Sequence, residues 1–205
     1  MAGNTVVDQI QLGNTGVPAN NFVIKTLNDG SMKIQRGNIG GALTDVLTID
    51  ANGNVANLVP YLLVRDEKAT NTSGGTNING INTRVLNTVQ ANSIIGASLA
   101  VNQITLPAGT YRINASAPAH AMDFVKAYLF NVTDASNQIV GTTEDAPTAG
   151  TVRSFINGRF TIAATKVFEL RHFIGTIVTA DGLGKAANAA GLVEVYSQVE
   201  IIKES

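Results

Sequence analysis

Two histidines, His120 and His172, are the only imidazoles in the 205-residue chain, and there is no cysteine. Two histidines without thiolates fall short of the ligand set of a structural zinc site. His172 shares an alternating face with Phe168, Leu170 and Ile174. That makes it a core or interface imidazole, whose titration near neutral pH would bear on assembly. His120 follows Pro118-Ala119 in an expected loop and is given no role. The run Asp50-Ala51-Asn52-Gly53-Asn54 has the flavour of a calcium loop, but its glycine is misplaced and Tyr61 stands where the closing glutamate belongs. It reads as a turn. Gly182-Leu183-Gly184-Lys185 is part of a phosphate-loop pattern, with Thr179 where the first glycine should be and Ala186 in place of the hydroxyl residue. It reads as a surface loop. Asp123, Glu144 and Asp145 could be imagined as paired carboxylates, but they fall in or near loops, where acids are solvated. Asn71-Thr72-Ser73, Asn114-Ala115-Ser116 and Asn131-Val132-Thr133 match the glycosylation triplet, the last two inside expected strands. No nucleophile–base arrangement is legible. The expectation is a protein that is not an enzyme, with no catalytic, cofactor-binding or metal-binding residues.

Composition points towards assembly. Charged residues are 14% of the chain against 44% hydrophobic, so much of the surface must be neutral. Alanine (25), asparagine and threonine (21 each) fill that role. Neutral polar surface suits subunits packed against copies of themselves, because charge is costly at interface cores; a soluble β protein with a Thr/Asn-rich surface is the alternative. A net charge of −1 with no basic run argues against nucleic acid and against a polybasic membrane anchor. No apolar stretch approaches the roughly 18 residues of a spanning helix. The beginning, Met1 to Gly13, lacks the features of a signal peptide, so export by the secretory route is not expected. Tryptophan is absent and aromatics are 5%, which disfavours a dedicated lectin.

What must position any functional residue is a set of strands. Alternation with period 2 recurs along the chain and no amphipathic helix is evident; Ala186–Ala190 is too short for one. Residues 1–57 read as a first block. It holds a short extended run with Val6, Ile10 and Leu12, a turn at Gly13-Asn14-Thr15-Gly16, and a strand at Phe22-Val23-Ile24. An Asp29-Gly30 hairpin of type I′ follows, then strands at Ser31–Arg36 and Val46–Asp50 around a break at Gly37–Gly41. So small a block does not hold a fold alone and should be completed by another chain or by the second block. After a joint at Asn54–Pro60 the second block runs through Tyr61–Asp66, a polar loop from Lys68 to Gly80, Asn82–Thr88, Leu99–Leu106, Thr110–Ala117 and Val125–Val132, with a loop at Glu144–Gly150. Three strands close it. Ser154, Ile156, Gly158, Phe160 and Ile162 line the first, Phe168 to Ile174 the second, and Val193, Val195, Val199 and Ile201 the third. Arg84, Arg153, Arg159 and Arg171 flank strands, with Glu169, Glu194 and Glu200 as candidate ion-pair partners of small value if exposed.

A series of phrases in residues 61–203 resembles the C1q/TNF-like jelly-roll domain of tailed-bacteriophage structural proteins and fibres. The phrases are Thr83-Arg84-Val85-Leu86-Asn87-Thr88, Asn102 to Ile113 with Leu106-Pro107-Ala108-Gly109-Thr110-Tyr111 at its centre, Ala115 to Ala119, Arg153-Ser154-Phe155, Gly158 to Ile162, Phe168 to His172 and Glu194 to Ile201. The first block is similar to phage proteins through Met32 to Asn38 and Asp45 to Asp50. The chain departs from the pattern at Ile81, where an aromatic is expected, and at Phe124-Val125-Lys126, where histidine and arginine are common. These departures keep any binding activity from being carried over.

The resemblance implies an all-β chain, with an N-terminal β-hairpin block (1–57) for particle attachment or intertwining and an antiparallel C1q/TNF-like jelly roll (58–205) that forms a homotrimer. The trimer or core candidates are Tyr111, Phe160, Phe168, Leu170, His172, Val195, Tyr196 and Val199. The expected function is a non-enzymatic virion protein, a capsid cement or decoration protein that stabilises the phage head, assembled in the bacterial cytoplasm. Its partners would be itself and the major capsid protein, with no cofactor, nucleic acid or membrane. The alternative is a short tail fibre or receptor-binding tip that contacts a host surface receptor. A polysaccharide-degrading tailspike is disfavoured by the missing carboxylate constellation.

Overall fold

The alternation becomes sixteen strands among the described residues, in a computed structural model that describes residues 9–12, 22–36, 44–52, 55–56, 59–145 and 148–205. The chain divides into two units, Met1–Leu58 and Val59–Ser205.

The first unit is a single antiparallel sheet whose spatial order follows the chain: β1 (Gln9–Leu12), β2 (Phe22–Thr26), β3 (Met32–Arg36), β4 (Thr44–Ile49) and β5 (Val55–Ala56). The β2–β3 hairpin forms at Asp29-Gly30, but not as type I′. Only Gly30 has positive φ (84°), the Gly30 amide donates to the Leu27 carbonyl (3.0 Å), and the Leu27 amide donates to Ser31 (2.8 Å). A three-residue loop with a left-handed glycine needs one positive φ rather than two. The Asp29 carboxylate accepts from the Ser31 amide and hydroxyl, which holds its pKa below the ordinary carboxylate value. Val23 is fully buried, and Ile24, Ile34, Leu47 and Ile49 are half-buried. Val6, the Gly13–Gly16 turn, the Gly37–Gly41 break, and Asn54, Asn57 and Leu58 of the joint lie outside the described residues.

The second unit holds β6 (Tyr61–Lys68), β7 (Gly80–Thr83), β8 (Thr88–Asn92), β9 (Ser98–Ala100), β10 (Gln103–Leu106), β11 (Gly109–His120), β12 (Phe124–Asn131), β13 (Ser136–Asp145), β14 (Thr151–Ile162), β15 (Lys166–Ile174) and β16 (Glu194–Lys203). Four antiparallel pairings nest inside one another: β12 with β13, β11 with β14, β10 with β15, and β6 with β16. They fall alternately in two sheets. The first sheet runs β14-β11-β16-β6-β8 and the second β13-β12-β15-β10-β9, with β7 also on β15. A long hairpin wrapped so that successive pairs alternate between two facing sheets is a jelly roll.

The main core lies between the sheets. Leu62, Val64, Ile104, Ile113, Phe168 and Leu170 are among its fully buried members. Each such side chain contributes about 1.5–3 kcal/mol by leaving water. Its centre is three aromatic rings: Tyr111 stacks on Phe160 with centroids 5.5 Å apart, and Phe160 meets Phe168 at 5.5 Å. The Tyr111 hydroxyl donates to the Pro107 carbonyl at 2.6 Å. Replacing Tyr111 with phenylalanine keeps the ring and leaves that carbonyl without this donor; chemical denaturation should read a loss of about 0.5–1.5 kcal/mol.

Several expected elements differ. Asn82–Thr88 is not one strand, because the chain leaves β7 at Thr83 and turns Arg84 into the sandwich before β8 begins. Leu99–Leu106 is two strands joined by a two-residue turn in which Val101 (φ 48°) and Asn102 (φ 63°) are left-handed. The Glu144–Gly150 loop begins inside β13, a polar strand that pairs with β12. In β16 the alternation changes phase. Val195 pairs with Glu67 and Gln198 with Arg65, so Tyr196 and Ser197 together oppose Asp66. This bulge puts Glu194, Tyr196 and Ser197 inside together with Val199 and Ile201. Val193, before the strand, is 53% exposed, and Val195 turns to the outer face and is half-buried, so neither lines the inner face with Val199 and Ile201 as expected.

Candidate functional site

The register of the first sheet lays out its outer face in rows. Arg159, Arg112, Ile202 and Tyr61 form one row. Asn157, Asn114, Glu200 and Leu63 form the next, and Phe155, Ser116, Gln198 and Arg65 the one after. Arg112 and Arg159 are directly opposed like charges, an arrangement that costs stability unless neutralised. Glu204 bridges them, accepting from Arg159 Nε at 2.5 Å and lying 3.7 Å from Arg112 Nε. Between the rows lies a shallow groove of about 460 Å³ lined by Arg112, Asn114, Asn157, Glu200 and Ile202. Phe155 is 44% exposed in mid-strand, and Tyr61, Leu63 and Ile202 are half-buried. Apolar patches set among paired charges of both signs form a surface suited to another protein.

Behind that face the interior contains a polar layer. In the first sheet Asp66, Ser197 and Ser154 stand at one level, with Ala117 between Ser197 and Ser154. In the second sheet His172 stands between Asn82 and Ala127, and the Ala127 amide donates to Ser154 Oγ across the sandwich (2.8 Å). Arg84 is fully buried among them. Its Nε donates to Ser197 Oγ (2.8 Å), Nη1 to the Pro118 carbonyl (3.1 Å) and Nη2 to the Leu183 carbonyl (2.6 Å). Burial pulls the Arg84 pKa down to about 10, so it stays a cation at neutral pH. Asp66 is its electrostatic partner; burial raises the Asp66 pKa, and Lys68 (3.3 Å) and Arg84 oppose the rise. Neither ring nitrogen of His172 has a hydrogen-bond partner.

The layer separates the main core from a smaller apolar cluster of Ala119, Met122, Val125, Ile174 and Leu183. Two loops close over that cluster. The Gly74 amide donates to Gly184 (2.7 Å), Gly75 to Ala180 (3.0 Å) and Leu183 to Gly75 (3.0 Å), and Asn77 Nδ2 donates to Thr176 (2.7 Å). Gly184 sits at φ 136° beneath the Tyr196 ring, where a Cβ would collide. The Tyr196 hydroxyl donates to Thr72 (2.8 Å), and burial first, with Glu194 and other acids beyond it, pushes its pKa up to about 12. Glu194 accepts from the amides of Ala187 (3.1 Å) and Asn188 (3.0 Å), bonds that hold its carboxyl below the usual range. Gly182, Leu183 and Gly184 are therefore buried, not the surface loop expected from sequence; Lys185 is exposed.

The remaining candidates are placed as follows. Tyr111, Phe160, Phe168, Leu170, His172, Tyr196 and Val199 are buried; Val195 is half-buried on the outer face. His120 is not in a loop but ends β11, its Nδ1 2.9 Å from Thr151 Oγ1. The Asp50 carboxylate accepts from the Asn52 amide, an Asx turn. Asp123 accepts from Thr176 Oγ1, and no three His, Asp or Glu side chains among the described residues group closely enough to hold a metal. Of the arginines, Arg171 pairs with Glu169 (2.8 Å) and lies over the Phe130 ring (3.5 Å). Arg153 bonds Ser116 Oγ and the Tyr196 carbonyl, Arg159 pairs with Glu204 rather than Glu194 or Glu200, and Arg84 is no surface ion pair.

By its strand order the second unit is an antiparallel jelly roll. The chain is similar to murine APRIL (6% identity, 71% of this chain and 98% of that chain, TM-score 0.48). It is also similar to the globular domain of zebrafish complement 1qA protein (10% identity, 72% and 98%, TM-score 0.46). No protein-family model matches the sequence, and no curated protein matches it.

Proposed function

We propose that the chain is a non-enzymatic structural protein of a tailed-phage virion, a homotrimeric cement or decoration protein that stabilises the head. The observation that carries the assembly role is the outer face of the first sheet. Half-buried Tyr61, Leu63 and Ile202 and exposed Phe155 lie among paired charges of both signs, so the face suits two further copies around an axis. The first unit adds support: Ile24, Ile34, Leu47 and Ile49 of its sheet are only half-buried, so the sheet gains stability from a partner. The phage setting rests on the phrases from Thr83 to Ile201 and from Met32 to Asp50 that resemble phage virion proteins. A lattice of such trimers would hold neighbouring capsomers against internal pressure, with the major capsid protein as the partner.

Light scattering should find a particle three times the 21.4 kDa chain; a monomer overturns the trimer. Added to phage heads that lack it, the protein should restore resistance to heat and chelators, at a copy number matching the head lattice. A tail-fibre role is favoured by a separate feature, the exposed Phe124, Phe173 and Ile81 on adjacent strands of the second sheet, a patch open to a receptor. Binding to whole host cells and not to heads, with few copies per virion, would establish that role instead.

A further inference from the structure

A jelly roll needs no charge in its middle, yet this one holds Arg84, Asp66 and His172 at one level, all nearly inaccessible to water. An apolar interior would be continuous through that level. Here the Leu183–Met122–Ile174 cluster is cut off from the main core, and what ties it down is a set of polar contacts. Arg84 holds Leu183, Gly74 and Gly75 are stitched to Ala180, Leu183 and Gly184, and Glu194 holds Ala187 and Asn188. Such a cluster can open without unfolding the main core, because the two share few apolar contacts.

His172 is the group in the layer that can change this balance. It faces Arg84 from the segment after β7, with Asp66 on β6 behind it; its strand neighbours, Asn82 on β7 and Ala127 on β12, carry no charge, and Ser154 on β14 and Ser197 on β16 are neutral. Arg153 adds positive charge near Arg84, and Lys68 draws on Asp66 at the rim. A proton on His172 would thus sit beside a guanidinium with neither nitrogen hydrogen-bonded.

We propose that the polar layer makes the loop end of the jelly roll an acid-released cap, in which proton uptake at His172 frees residues 72–78 and 176–192 while the main core stays folded. Opening uncovers Met122, Val125, Ile174 and Leu183, an apolar surface hidden at neutral pH. The direction follows from the proton balance. Burial and Arg84 hold the folded pKa of His172 at about 3, against 6.5 for a free imidazole. Above pH 6.5 both states are neutral and the cap is at full strength. Below it the open state, in which water reaches the polar layer, takes the proton more readily than the closed state, so opening gains as the pH falls, by at most about tenfold per pH unit. Glu194, whose carboxyl is held low by amide bonds, weakens its hold in the same direction but only in the carboxylate range.

Hydrogen exchange of the full chain from neutral pH to about pH 5, corrected for the intrinsic rate, tests this. Amides of Gly74, Gly75, Leu183 and Gly184 should lose protection, by at most about 30-fold, while those of β11 and β14 hold. His172→Leu should abolish the loss, and Glu194→Gln should keep it. Equal loss in cap and core, a cap indifferent to pH, or a response that disappears with Glu194→Gln overturns the proposal. The wild-type and Glu194→Gln arms decide the matter even where His172→Leu does not fold.

Discussion

Replacing Arg84 with methionine should lower the unfolding free energy by about 3–5 kcal/mol, read as a fall in the urea midpoint. Methionine keeps the length of the stem but none of the donors. Ser197 Oγ and the carbonyls of Pro118 and Leu183 lose a charged partner in one step. Asp66 is left almost completely buried with Lys68 alone to offset its charge. Lysine is no substitute. The three bonds leave Arg84 in three directions, a fork that a single ammonium on a flexible stem does not reproduce. Adding Asp66→Asn to Arg84→Met should return only the part of the loss that comes from uncompensated charge, because the two carbonyls still lack a donor. Full recovery in the double variant would mean that the pairing with Asp66, not the tethering of β11, β16 and the loop, is what Arg84 supplies.

Phe160→Ala should cost a comparable 3–5 kcal/mol through a cavity in the middle of the sandwich. Its ring lies between those of Tyr111 and Phe168, and all three come from strands whose pairing fixes their backbones. The neighbours cannot collapse into the space without breaking register, so little of the cavity is recovered. Phe155 on the same strand is the internal control. It faces outward and is 44% exposed, so its truncation should leave the stability of the isolated chain nearly unchanged and show itself in assembly. Equal losses at the two positions would mean that the facing of β14 is wrong.

The difference between those two phenylalanines was legible in the sequence. Ser154, Ile156, Gly158, Phe160 and Ile162 alternate without interruption, and a strand buried on one face can take only one register. The same holds for Phe168 to Ile174. Less could be read where the physics is not local. Arg84 sits in Thr-Arg-Val, a run that looks like surface; its burial depends on acceptors 34, 99 and 113 residues away. β13 carries Asn, Gln, Thr, Glu and Asp and shows no apolar stripe, since it is formed by pairing with β12 rather than by its own pattern. The β9–β10 turn gave no glycine signal because Val101 and Asn102 adopt positive φ themselves. The polar layer as a whole had no signature, being one residue from each of several strands.

The bulge at Tyr196 and Ser197 gives β16 two grammars in ten residues. Up to Tyr196 the even positions are read by the interior; from Ser197 onward the odd ones are. Losing one of the two would leave a single residue opposite Asp66, with Val195 still opposite Glu67 and Gln198 still opposite Arg65, and every other side chain would keep its face. The bulge thus amounts to one inserted residue that adds a second inward side chain, the Ser197 hydroxyl to which Arg84 donates, while each flank of the strand keeps the face it would have without it.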